Sequence, residues 1–220
     1  MKKLFTFTVI AILLISGSAA RSQVISYGAK LGMGFPGFID EPIASQRITL
    51  ALGFTGGVKI ANGFQLMLDL GYQRKGSKFT NQVWDSKGTI IADSTYQMKT
   101  NLDYVTIPLY FKINLGHTSK FYLQAGGYYG YLVHANFTGM RLGEMVSKAP
   151  IIDGLRRSDF GIVAGGGIET PIRQGLGVIL DLKYQYGLSN LNKNPLIIGY
   201  SRPIKNKGLA MSAGFYMDLD

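Results

Sequence analysis

The sequence predicts an all-β fold, an eight-stranded antiparallel up-and-down transmembrane β-barrel. Three observations carry that reading. Apolar residues recur with period two in eight successive runs, short connections alternate with long ones, and glycine occupies the polar face of the runs.

Composition sets the bounds. The chain has 220 residues, 46% hydrophobic, 12% aromatic and only 16% charged, with 29 Gly and no Cys. That much apolar content excludes a disordered chain. Charge falls well below the roughly 25% of ordinary soluble domains, and glycine is about twice its usual share of roughly 7%. The absence of Cys excludes a disulfide scaffold, a thiolate metal site, a cysteine nucleophile and a lipidated N-terminal Cys.

The first segment reads as an address. Met1-Lys2-Lys3 is basic, Leu4 to Ile15 is an apolar run broken only by Thr6 and Thr8, and Ser16 to Ser22 is small and polar. This is the three-part layout of a secretory signal peptide over 1-22, with cleavage after Ala20 or Ser22. The run is shorter than the roughly 20 apolar residues of a spanning helix. Removing Lys2, Lys3 and Arg21 lowers the formal charge from +10 to +7. The barrel domain is then 23-220, and with no other long apolar run, any membrane crossing is by strands.

In the first strand, Ile25 to Phe35, the apolar Ile25, Tyr27, Ala29, Leu31, Met33 and Phe35 alternate with Ser26, Gly28, Lys30, Gly32 and Gly34. The same alternation marks Ile48 to Ile60, Phe64 to Tyr72, Val105 to Leu115, Phe121 to Phe137, Phe160 to Ile172, Leu176 to Leu188 and Leu209 to Leu219. Strands two and three meet at Ala61-Asn62-Gly63, four and five at Gly116 to Lys120, six and seven at Arg173-Gln174-Gly175. Keeping the apolar faces aligned pairs Ile60 with Phe64 and Ile172 with Leu176, so the first and last of these are three-residue hairpins with a left-handed Gly last. The other connections are long: Pro36 to Arg47, Arg74 to about Leu102, Thr138 to Asp159 and Ser189 to Lys207. Within the second, Lys78 to Trp84 returns at Thr89 to Met98 around Asp85-Ser86-Lys87-Gly88, an extension of strands three and four.

Period two also suits a soluble barrel with its apolar side inward, so the occupant of the polar face decides. Gly28, Gly32, Gly34, Gly53, Gly57, Gly71, Gly126, Gly130, Gly161, Gly165, Gly167, Gly177, Gly187, Gly208 and Gly214 all fall there. A solvent face gains nothing from glycine, which weakens strands, whereas a narrow lumen needs small residues. The apolar face therefore meets lipid. Its aromatics form two belts: Phe35, Tyr72, Tyr129, Tyr131, Phe160, Tyr184 and Tyr186 near the long loops, and Tyr27, Phe64, Phe111, Phe121 and Phe215 near the short turns.

Tyr27-Gly28-Ala29-Lys30-Leu31-Gly32, Tyr104-Val105-Thr106-Ile107-Pro108-Leu109-Tyr110, Ala125-Gly126-Gly127-Tyr128-Tyr129-Gly130, and Asp159-Phe160-Gly161 through Gly165-Gly166-Gly167 mark the chain further. In these the sequence resembles the PorT-like outer-membrane β-barrel proteins of Bacteroidetes-type bacteria. The resemblance spans essentially the whole chain after the signal. It implies an eight-stranded outer-membrane barrel of mostly unassigned function with no catalytic residues to carry over, and the signal-bearing N-terminus and even strand number put both termini in the periplasm. The name-giving member serves a secretion system, so a role in secretion machinery is one reading.

Lys30, Lys59, Lys112 and Lys183 fall on the inward rows, as do Asp69, Glu169 and Asp181, and such charges must pair or meet water. A salt-bridged plug is the expectation, with an ion or proton path as the alternative. Pro108 removes a ladder donor, which predicts a bulge or a water. His117 falls in a short turn. His134 is expected to face inward beside Asn136, with Ser158 and Asp159 as the partners a lipid-modifying enzyme would need. The Gly165-Gly166-Gly167 triplet lies in a strand without a following helix and is no phosphate loop.

The long loops are basic. Lys193, Arg202, Lys205 and Lys207 lie in the last, and Arg141, Lys148, Arg156 and Arg157 against Glu144 and Asp153 in the third. Phosphorylated surface glycolipid is the partner these fit, alongside the membrane lipid itself. Dispersed basic residues on an exported chain argue against nucleic acid. No residue pattern calls for a cofactor or metal. The expected function is a non-enzymatic structural or surface-binding barrel.

Overall fold

The computed structural model describes residues 24–39, 47–84, 90–116, 120–141, 144–194 and 203–219. The expected signal peptide, His117, Arg202 and the Asp85-Ser86-Lys87-Gly88 turn lie outside them.

Eight strands close into a barrel. They are β1 (Ile25–Phe38), β2 (Thr49–Ala61), β3 (Phe64–Lys75), β5 (Ile90–Leu115), β6 (Lys120–Arg141), β8 (Ser158–Arg173), β9 (Leu176–Gly187) and β10 (Asn206–Leu219). Each pairs antiparallel with its neighbours in chain order. The β1–β10 ladder, from Ile25 opposite Leu219 to Phe38 opposite Asn206, closes the ring. Two further strands, β4 (Lys78–Trp84) and β7 (Glu144–Pro150), flank the upper parts of β5 and β6. A spanning strand needs about 9–11 residues. β5 with 26 and β6 with 22 therefore extend well past the barrel at the long-loop end.

Alternation puts the apolar rows outside. In β9, Leu180 is 58% exposed while Asp181 beside it is 6% exposed. Leu31, Phe54, Leu109, Leu123 and Ile162 are likewise exposed on their strands. An exposed apolar belt of this extent belongs in lipid, not water. No helix among the described residues is long and apolar enough to cross a membrane.

The two described hairpins differ in detail from the expected pairing. Gly63 and Gly175 do adopt positive φ, +80° and +73°. The closing pairs, however, are Ala61–Phe64 and Arg173–Leu176, with register shifts at Lys59/Ala61 and Pro171/Arg173. Ile60 and Ile172 are the extra, bulged residues. The bulge lets each strand end keep its outward face across a tight turn.

Of the two outcomes expected at Pro108, a bulge or a water, the bulge does not form. The β3–β5 ladder steps from Leu68–Leu109 to Gly71–Thr106 and leaves Asp69 and Leu70 unpaired opposite Ile107 and Pro108, with no change of register. A residue without N–H interrupts the ladder on one side, while on the other Pro108 stays in register with Tyr128. The bulge is instead in β6, where Asp103 pairs with His134 but Tyr104 with Leu132, leaving Val133 extra.

Candidate functional site

The lumen is filled by three tiers of paired charges. In the middle tier Lys30 Nζ lies 3.1 Å from Asp69 and 3.2 Å from Asp181. Lys183 pairs with Asp69 and lies 3.4 Å from Asp181. Tyr110 donates its hydroxyl to Asp69 at 2.8 Å, Gln124 donates to Asp181, and the Lys183 ammonium sits 4.2 Å above the Tyr110 ring. Two cations and two anions leave this tier neutral. Toward the short turns Lys112 pairs with Glu169 and caps the Tyr122 ring at 4.6 Å. Each charge thus finds an opposite charge and further polar or aromatic partners, as burial requires.

The third tier lies toward the long loops and was missed by sequence reasoning. Lys75 Nζ is 3.1 Å from Asp159, at 3% and 0% side-chain exposure. Asp159 also accepts hydrogen bonds from Tyr128, Ser189 and Asn206 at 3.2, 2.7 and 2.8 Å. The signal was present. Extending the row Asp69, Gly71, Gln73 by one step reaches Lys75, and the row Gly165, Val163, Gly161 reaches Asp159.

Above this tier the barrel mouth is capped by apolar residues. Leu102, Tyr104, Leu132 and Ala135 from β5 and β6 pack with Ile151, Leu155, Leu191 and Ile204 from the loops. A 3-10 turn at Ile152–Gly154 and backbone bonds from Ile151 to Ala135, Arg156 to Leu191 and Leu191 to Ile204 hold these loops over the lumen. Cavities of about 80 Å³ beside the middle tier and about 20 Å³ beside Lys112 remain. Each has room for a few waters at most. Eight strands leave an interior that side chains can fill, and here they do.

Two placements correct the sequence reading. Lys59 is exposed near Lys120 and Asp218 at the short-turn mouth, apart from the tiers, because its strand end opens to solvent there. His134 faces outward, since the Val133 bulge flips the alternation by one residue. Its Nε2 accepts from the Asn136 amide at 2.9 Å. Ser158 bonds Tyr129 and Asp159 is committed to Lys75, so the group a lipid-modifying enzyme would need is not assembled. No cluster of His, Asp or Glu suited to a metal occurs among the described residues.

The aromatics stand on the wall. Tyr129, Tyr131, Phe160 and Tyr184 are exposed toward the long loops, with Phe35, Tyr72 and Tyr186 half-buried. Tyr27, Phe64, Phe111, Phe121 and Phe215 are exposed toward the short turns. Tyr72 also donates to Asp103 at 2.8 Å, within an ion pair of Asp103 and Arg74.

Among the basic loop residues, Arg156, Arg157 and Lys193 are exposed around one cleft of about 560 Å³ with Asp153, Phe160 and Leu188. Lys205 and Lys207 are half-buried elsewhere.

Residues 20–193 match the model of the outer membrane protein beta-barrel domain family. The fold resembles that of Neisserial surface protein A, with 12% identity, a TM-score of 0.51 and coverage of 90% of this chain and 99% of that one. A major outer membrane protein of Thermus thermophilus aligns at 15% identity and TM-score 0.46, covering 90% and 100% of the two chains. OprG of Pseudomonas aeruginosa aligns at 12% and 0.45, covering 90% and 95%. No curated protein matches in sequence. The matched span includes the first seven barrel strands and the residues of all three charge tiers, and the chain belongs to the outer membrane protein beta-barrel domain family.

Proposed function

We propose that the protein is a non-enzymatic outer-membrane barrel with a sealed lumen that acts through its long-loop end at the cell surface, with both termini in the periplasm. The filled lumen carries this reading. Three neutral charge tiers under an apolar cap leave no route for solutes, so function falls to the outer wall and the loops. The extension of β5 and β6 past the barrel supports it, since it raises loop surface above the membrane.

Conductance tests the seal. The purified barrel in planar bilayers gives no stable current steps under an applied voltage, whereas sustained open-channel currents would refute the reading. The PorT-like motifs raise a second reading, a component of a secretion machinery. On the first reading a deletion strain secretes its exported proteins normally, and loss of secretion would favour the second.

A further inference from the structure

The cleft beside β8 and β9 joins two kinds of wall. Arg156, Arg157 and Lys193 supply three exposed cations, and none is in an ion pair among the described residues. Asp153 is the one acid lining it among the described residues. Just below, Phe160 and Leu188 face outward at 54% and 48% exposure, and Phe160 continues the belt through its cross-strand partner Tyr129.

The backbone that carries the cations is pinned. Arg156 N–H donates to Leu191 O at 2.7 Å, Leu132 N–H donates to Arg157 O at 2.7 Å, and Lys193 N–H donates to Gly154 O at 2.9 Å. Two loops thereby carry the three charged side chains on pinned backbone at the level where the apolar wall begins.

We propose that this cleft binds the phosphorylated headgroup of an outer-leaflet glycolipid. Arg156, Arg157 and Lys193 take the phosphate, and Phe160 and Leu188 lie against the start of its acyl chains. Arginine forks match phosphate oxygens in geometry as well as charge. Free phosphate would leave the apolar half unused, and a soluble acidic protein would meet lipid at that height. The assignment rests on the reading that the long-loop end faces outward.

The test uses the full mature chain in phosphatidylcholine nanodiscs containing either a bisphosphorylated glycolipid or its dephosphorylated form. Glycolipid retained after detergent extraction is counted by native mass spectrometry. Wild type retains the phosphorylated form and loses the other. Arg156→Gln/Arg157→Gln/Lys193→Gln retains about tenfold less, while Lys205→Gln/Lys207→Gln, outside the cleft, retains as wild type. Heat-modifiable migration checks that each variant is folded.

Equal retention by the cleft variant, equal retention of the dephosphorylated lipid, or equal loss in the control would each overturn the proposal. A separate arm tests the reading beneath it. The chain lacks Cys, so Lys148→Cys is a unique thiol in β7, and an impermeant maleimide labels it on intact cells if the long loops face outward. Absence of labelling, with the protein present in the outer membrane, overturns the orientation and the proposal with it.

Discussion

Replacing Asp69 with Ala destabilises the barrel by about 3 kcal/mol or more, the cost of leaving a buried charge without its partner. Asp69 is the anion closest to Lys183, a partner of Lys30, and the acceptor for Tyr110. Without it the middle tier holds two ammonium groups, on side chains 8% and 9% exposed, against Asp181 alone. Removing a second charge of opposite sign offsets the effect. Asp69→Leu/Lys183→Met leaves Lys30 with Asp181, a neutral pair, and recovers most of the loss, because apolar groups of similar volume can replace a buried ion pair at little net cost. Urea titration in phospholipid vesicles, with the folded fraction read from heat-modifiable migration, measures both variants. A double variant no more stable than Asp69→Ala would show that the charges do not act as a unit. A loss below about 1 kcal/mol in the single variant would show that the tier is solvated like an exposed ion pair.

Period two made the strands and their faces legible but left the heights open. It put Lys30, Asp69, Asp181 and Lys183 on inward rows, but nothing local says that residue 30 meets residues 69 and 181. That depends on the register of strands far apart in the chain, which sets which rows meet across the lumen. The placement of His134 failed for a specific reason. A bulge shifts every later side chain to the other face, and the β6 bulge falls at Val133, with no Gly or Pro beside it to announce it. Hence Ala135, past the bulge, turns inward to the cap while His134 turns out. The cap was also hidden. Leu155, Leu191 and Ile204 sit in connections without periodicity, so their apolar character had no assigned face until the loops were seen folded over the mouth. Lys75 was lost at a boundary, because ending strand three at Tyr72 stopped its inward row at Gly71, two positions short.

Glycine was the observation that separated lumen from solvent, and a paired substitution tests whether close approach is the reason. A Cβ at Gly165 would strike the Leu182 carbonyl oxygen, with the Leu182 carbonyl carbon and Lys183 Cα both at 3.0 Å. All three atoms are backbone of the adjacent β9 strand, so no flexible side chain can yield. Relief requires β8 and β9 to separate just where β9 holds Asp181 and Lys183 in the middle tier. Gly165→Ala should therefore cost about 1–3 kcal/mol, the range for forcing extra volume into a packed interior. Gly56 is the internal control. It lies in β2, and a Cβ there meets nothing within 4 Å. Gly56→Ala removes unfolded-chain entropy without a clash and should be neutral or stabilising by about 0.4–1 kcal/mol. The same vesicle titration reads both. Equal effects would mean that glycine on the inward rows serves something other than strand proximity. A clear difference ties this glycine to neighbouring strands that lie too close, at the height of the charge tiers, for even one methyl group between them.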